Sequence, residues 1–195
     1  MKTENNHKLA IIVPYRNRYE HLQEFKRLIT EYVKSRGIDY ELLIIEQDDA
    51  KLFNRGMLLN IGFTYAKQYG CDYVVFHDVD MLPLISDYSY CDTPTHLATE
   101  VEQFGWNLAY EEYFGGVTIF DRESFEIING YSNEYWGWGA EDDDYRDRCV
   151  REKLNLYRGN GSYKNLYHKP NGDTQGGTAS EDTIKNRIRY MNLKN

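Results

Sequence analysis

Two carboxylates one residue apart, Asp78 and Asp80, follow directly on the apolar run Tyr73-Val74-Val75-Phe76 and His77. Alternate side chains of an extended segment share a face, so the two acids point one way and Val79 the other. Hard oxygen ligands at a strand end suit Mg²⁺ or Mn²⁺ bridging a diphosphate. A triplet of this kind is common, and its weight here comes from its place after the strand. A second acidic group, Glu141-Asp142-Asp143-Asp144, sits where a helix is predicted to start. Acids at a helix N-terminus are electrostatically favoured, and that alone accounts for much of the run. The run also follows Tyr135-Trp136-Gly137-Trp138-Gly139. Two indoles on a glycine-hinged loop beside carboxylates make a floor for a sugar ring. A carboxylate kept ionised by the helix N-terminus could take the proton from an attacking hydroxyl.

Phe53-Asn54-Arg55 at another predicted helix start, and Pro14-Tyr15-Arg16-Asn17-Arg18 after the first strand, place guanidinium groups where they can grip phosphate. A Phe or Tyr beside them can flank a uracil; singly, each is equally well explained by surface ion pairing. His168 stands alone in Tyr167-His168-Lys169-Pro170. As a further ligand to an ion held by Asp80, its imidazole would tilt the choice toward Mn²⁺ over Mg²⁺.

The elements that must position these residues follow from periodicity. Leu9–Val13, Tyr40–Ile45 and Tyr73–Phe76 are short apolar runs of strand length. Between them, residues 18–36 carry Leu22, Phe25, Ile29, Tyr32 and Val33 at helical spacing, closed by Gly37. Residues 55–69 place Leu58, Ile61 and Tyr65 on one helical face, ending at Gly70. The alternation predicts a βαβαβ unit of an α/β fold with parallel strands and right-handed crossovers. Ligands of such sheets sit beyond the carboxyl ends of the strands, where Asp78 and Asp80 fall. The second half is less regular: a strand over 114–120 led by Gly115-Gly116, a short helix over 122–128, a loop over 129–139, a helix over 141–153 with Tyr145 and Cys149 inward, short strands within 155–168, a loop over 170–180 and a terminal helix over 181–192.

The bulk properties exclude several classes. A chain of 195 residues suits one domain with a real core. A net charge of −8 argues against nucleic acid as a partner. Most of the eighteen tyrosines are explained by a core that uses Tyr where others use Leu, and a few of them fit a saccharide cleft. Cys71, Cys91 and Cys149 form neither a zinc framework nor a dense disulfide scaffold; Cys71 and Cys91 could pair in an oxidising compartment, and free thiols are the simpler reading. No run approaches the roughly 18 apolar residues of a membrane span, and Met1–Lys8 is polar. The expectation is a cytoplasmic protein, bacterial or viral, unless an N-terminal anchor lies outside this chain.

The segments IIVPYRNRYEHL (11–22), FNRGMLLNIGF (53–63), VVFHDVDMLP (74–83), YFGGVTIF (113–120) and INGYSNEYWGWGAEDDD (128–144) together resemble the β-1,4-galactosyltransferase family, which includes N-acetylgalactosaminyl-transferring members. The resemblance covers roughly residues 9–168, and the last segment is highly specific. It implies a GT-A fold in a single domain over 1–195, with a nucleotide-binding half (9–83), an acceptor and catalytic half (84–168) and a tail (169–195). It implies Asp80 and His168 as metal ligands, for Mn²⁺ with Mg²⁺ as the alternative, and a uridine-diphosphate pocket from Pro14, Tyr15, Arg16, Arg18, Phe53, Arg55, Asp78 and Val79. It further implies Asp142 as catalytic base, Glu141 and Asp143 on sugar hydroxyls, Trp138 on a loop that closes over donor and acceptor, and Tyr110, Tyr113, Gly116 and Gly139 in the sugar site. In this family a bulky Tyr at the place of Tyr113 goes with galactose. Two departures stand out: Asn165 replaces a methionine ligand of the vertebrate Golgi enzymes, an exchange that shifts ion preference toward Mg²⁺, and Gln103 replaces a donor-side lysine. The activity implied is single in-line displacement with inversion, from a UDP-sugar to a saccharide hydroxyl. The alternatives are UDP-N-acetylgalactosamine or another UDP-sugar as donor, a nucleotidyltransferase sharing the nucleotide half, or a non-catalytic carbohydrate-binding module.

Overall fold

Residues 6–167 and 180–194 are described by a computed structural model of the chain. Strand β1 (Lys8–Tyr15) is buried from Leu9 onward. It lies between two parallel neighbours, β2 (Asp39–Glu46) and β3 (Tyr73–His77). An all-parallel core of this kind needs cover on both faces, which explains continuous apolar runs in place of alternation. On one face, α1 (Tyr19–Lys34) buries Phe25, Ile29 and Val33. On the other, α2 (Arg55–Gln68) buries Leu58, Leu59, Gly62, Phe63 and Ala66.

The buried face of α2 is not the one predicted. Ile61 and Tyr65 are exposed, and the helix turns Gly62 to the sheet because a side chain there would strike Ile12. The glycine lets the helix approach β1 closely, and an apolar-residue count does not register that contact.

The remaining strands divide between two sheets. β4 (Met81–Ile85), β6 (Glu100–Val101) and β9 (Ser162–Asn165) form a small sheet in the order β4-β9-β6. β5 (Thr95–His96), β7 (Val117–Asp121) and β8 (Tyr157–Arg158) extend the first into six strands, in the order β2-β1-β3-β7-β5-β8. β7 runs antiparallel to β3, so the parallel pattern ends there. Its start is later than residue 114, because Gly116 at φ 74 turns the chain before the strand begins. α3 (Arg122–Ile127) is capped by Asp121, whose carboxylate accepts from the Ser124 amide at 2.9 Å.

α4 (Glu141–Arg151) buries Tyr145 and Cys149 as expected, and α5 (Glu181–Lys194) buries Thr183 and Asn186. The three cysteines are free thiols. Among the described residues no helix is long and apolar enough to cross a membrane.

Candidate active site

The carboxyl ends of β1 and β3 and the N-termini of α2 and α4 converge. Arg55 is the first residue of α2, and Asn54 caps that helix by accepting from the Met57 amide at 2.9 Å. The cap aims the Arg55 side chain inward. Its Nε donates to Asp78 Oδ1 at 2.7 Å and its Nη1 to Asp142 Oδ1 at 2.9 Å, with Glu141 Oε1 at 4.0 Å. Its guanidinium therefore joins the acid at the end of β3 to the acid run opening α4. Sequence reasoning assigns Arg55 to phosphate; the fork is occupied here by two carboxylates. Burial works against its charge, but Asp78 and Asp142 outweigh that and hold the guanidinium charged.

The four consecutive acids separate by helical rotation. Asp144 turns inward, almost fully buried, and pairs with Arg148 at 3.0 Å and Arg151 at 3.6 Å, a structural role. Asp143 accepts from the Tyr110 hydroxyl at 2.9 Å. Asp142 and Glu141 face Arg55. Burial raises the Asp142 carboxyl well above the ordinary range, aided by Glu141, with Arg55 opposing. Burial raises Glu141 and Asp78 as well. Dehydration and the neighbouring acids thus oppose the helix N-terminus and make Asp142 a stronger base than a surface aspartate.

Asp80 sits beside Arg18, Nη1 to Oδ2 3.1 Å, with its side chain 14% exposed. The Leu166 amide donates to the Asp80 carbonyl at 2.7 Å, and Met81 is the register partner of Asn165. The chain leading to residue 168 is thus fastened beside Asp80. A nearly dry carboxylate of this kind is a hard oxygen donor of the sort that suits Mg²⁺ or Mn²⁺. His168 itself lies outside the described residues. Among those described, no cluster of three or more His, Cys, Asp or Glu side chains is disposed around a metal position. The Asn165 amide oxygen accepts from the Gln103 amide at 3.3 Å, so the two departures from the family pattern meet each other.

Arg16 lies over the Phe53 ring at 5.3 Å and donates to the Lys51 carbonyl at 2.7 Å, a half-buried cation and aromatic face beside the strand ends. Pro14, Tyr15 and Val79 are buried, Tyr15 and Val79 within the core, so they shape this edge from below. Tyr113 packs edge-on to Tyr110 at 5.4 Å. Gly115 and Gly116 leave room for Tyr113: a Cβ on Gly115 would strike Asp142 and the Tyr113 ring, and one on Gly116 would sit 2.6 Å from Met81 Sδ.

Trp138 is 64% exposed, while Trp136 is half-buried. Gly137, at φ 82, donates its amide to the Phe53 carbonyl at 2.8 Å, tying the tryptophan loop to the segment that leads into α2. On the other side, Asn186 of α5 donates to the Trp136 and Trp138 carbonyls at 3.0 and 3.3 Å. The Gly139 Cα faces Thr183. Sequence reasoning missed Asn186, since a lone amide in a tail helix carries no signal.

It also missed the support of Asp78. His77 is fully buried, with Nδ1 2.9 Å from the Asp78 carbonyl and Nε2 2.8 Å from the Tyr88 hydroxyl. A carbonyl only accepts, so the proton is on Nδ1 and Tyr88 donates to Nε2. Burial lowers the imidazole to about 4, which keeps it neutral and this pattern intact.

Two family models match the chain: the N-terminal region of glycosyl transferase group 7 over residues 1–92, and the N-terminal domain of galactosyltransferase over 95–169. β-1,4-Galactosyltransferase 4 of Cricetulus griseus is 40% identical over 167 residues, covering 83% of this chain and 48% of that protein. Xylosylprotein 4-β-galactosyltransferase of Caenorhabditis elegans is 39% identical over 160 residues, covering 80% and 54%. The chain spans about half the length of these curated relatives. The catalytic domain of Drosophila β-1,4-galactosyltransferase 7, crystallised with xylobiose, superposes with a TM-score of 0.76 at 30% identity, covering 93% of this chain and 79% of that one. A mutant of the same Drosophila enzyme, in complex with manganese, UDP-Gal and xylobiose, matches equally well at 29% identity. The architecture is accordingly GT-A. These relatives are animal proteins, which overturns the expectation of a bacterial or viral cytoplasmic protein.

Proposed function

The chain belongs to the galactosyltransferase family of glycosyl transferase group 7, and from that membership we propose that it transfers galactose from UDP-galactose to a hydroxyl of a saccharide acceptor, with inversion and a β-linkage. The observation that carries this reading is the bridge Asp78–Arg55–Asp142, which couples the carboxyl end of β3 to a part-buried carboxylate of raised basicity.

In the proposed mechanism the uracil lies against Phe53 and Arg16, with Tyr15 and Pro14 beneath. Arg18 and Arg55 lie within reach of the diphosphate and the sugar, and Asp78 faces the ribose with Val79 behind it. Tyr110, Tyr113, Gly116, Gly139, Glu141 and Asp143 surround the galactose and the acceptor. Tyr113 fills the space an N-acetyl group would need. Asp142 accepts the proton of the acceptor hydroxyl as its oxygen attacks the anomeric carbon. Trp138, projecting from a glycine-flanked loop, covers the reacting sugars and excludes water. A manganese ion, with magnesium as the alternative, held by Asp80 and His168 would supply Lewis-acid stabilisation of the departing diphosphate.

The test is a donor panel with Mn²⁺, in which UDP-galactose, UDP-N-acetylgalactosamine and UDP-glucose are each offered with xylosides and N-acetylglucosaminides. Acceptor-dependent release of UDP from UDP-galactose above the other donors is expected. Saccharide binding without UDP release from any donor would leave a binding module and overturn the proposal.

A further inference from the structure

Arg158 and His96 are register partners on the paired strands β5 and β8, and neither belongs to the motifs above. Arg158 Nη1 donates to the Tyr113 carbonyl at 2.7 Å and Nη2 to the Glu111 carbonyl at 2.5 Å. Nη1 also lies 2.8 Å from His96 Nδ1. His96 is fully buried, and its Nε2 is 2.8 Å from the Gly115 carbonyl. A guanidinium only donates and a carbonyl only accepts. The imidazole is therefore neutral, with its proton on Nε2 and its Nδ1 lone pair toward Arg158. Burial, which lowers His96 to about 4, agrees. The two side chains thus hold the carbonyls of residues 111, 113 and 115, every second residue of the segment carrying Tyr113 and the two glycines. The His96 ring also meets the Tyr113 ring edge-on at 5.3 Å.

Elsewhere the segment is held by the buried Phe114 ring against Phe120 and Tyr145, by the Tyr110 hydroxyl on Asp143, and by the Gly116 carbonyl, which accepts from the Asp78 amide. It carries no strand or helix between Asn107 and Val117, its glycines impose no rotamer, and Tyr110 and Glu112 are exposed. A planar fork with one delocalised charge is suited to binding divergent carbonyls, whereas an ammonium is not. The edge strand β8 is two residues long and brings Arg158 to this point.

We propose that Arg158 and His96 are positioning residues that hold Tyr113 against Asp142 and thereby set discrimination between UDP-galactose and UDP-N-acetylgalactosamine. The inference rests on the proposed galactosyl transfer, because it concerns the sugar side of that site. It acts through the backbone of Tyr113, so nucleotide affinity should be untouched while sugar selectivity changes.

The experiment compares wild type with Arg158→Lys, Arg158→Ala and His96→Gln, the last retaining a donor near the Gly115 carbonyl. Three readouts are taken: UDP affinity by calorimetry, the ratio of kcat/KM for the two UDP-sugars, and amide hydrogen exchange over residues 110–116 in the ligand-free protein. For both Arg158 variants we expect UDP affinity within twofold of wild type. The galactose preference should narrow at least tenfold, exchange over 110–116 should accelerate, and His96→Gln should fall between them and wild type. An unchanged donor ratio and unchanged exchange in folded Arg158→Ala would overturn the proposal. If wild type transfers neither sugar, the functional reading fails by itself, and exchange over 110–116 still decides whether the clamp exists.

Discussion

Asp142 lies among Glu141, Asp78 and Asp143, with Arg55 opposing them, so its proton is held more tightly than that of a free aspartate. Two consequences follow for pH. Transfer needs the ionised base, so activity should fall as pH drops through this raised value, with a limb above the ordinary carboxylate range. Stability has the opposite sign. A carboxyl whose folded pKa exceeds its unfolded one contributes stability that is fully present below the unfolded pKa and is lost as pH rises through the folded one. Asp142→Asn should therefore raise Tm at pH 7.5 by about 2 °C or more, as expected for a gain near 1 kcal/mol in a domain of this size, and flatten the rise in Tm toward pH 5. A lower Tm at pH 7.5 would show that the Arg55 pair outweighs the burial cost. The acids themselves were legible in the sequence. The internal pairing of Asp144 and the bridge to Asp142 were not, because they depend on which way each side chain leaves the first turn of α4 and on Arg55, a residue 87 positions away from Asp142.

The helices and strands of the nucleotide half were legible for the same reason that they fold: β1, β2 and β3 are continuous apolar runs and α1 is regularly amphipathic. α2 was found, but its buried face was misjudged, since Gly62 faces Ile12 where a larger side chain cannot. The two-residue strands β5, β6 and β8 carry no periodic signal and exist through their neighbours. α5 was predicted near its true span, yet its task was not, because it acts through Asn186 on backbone carbonyls of a loop 48 and 50 residues away. Its seat is reinforced by Arg189 to Glu134 at 3.3 Å and by the Tyr190 hydroxyl to Asp147 at 2.8 Å. Asn186→Ala should loosen the Trp136–Gly139 loop without unfolding the sheet. The expected result is faster amide exchange over 136–139 and a KM for the acceptor raised about threefold or more, with UDP affinity unchanged. Equal losses in UDP affinity and acceptor KM would instead mark a general disruption.

At the scale of the whole molecule, the proposed donor edge is assembled from β1, α2 and β3, and the proposed base from α4 over 60 residues later in the chain. Neither half makes the site alone, so ligands that bridge them should stabilise the folded chain. UDP with Mn²⁺ at about a hundred times its Kd should add about 2.7 kcal/mol, a rise of roughly 5–10 °C in Tm. EDTA should remove the part that depends on the ion, and UDP alone should give a smaller shift. An equal shift with and without metal would count against an ion at Asp80.

The most direct test is a pair of numbers from Asp142→Asn: its rate of galactose transfer from UDP-galactose and its Kd for UDP with Mn²⁺. A base that touches only the acceptor proton predicts loss of transfer by at least a thousandfold with UDP affinity within a few fold of wild type. Retained transfer, or loss of transfer and nucleotide binding in equal measure, would contradict the role given to this carboxylate.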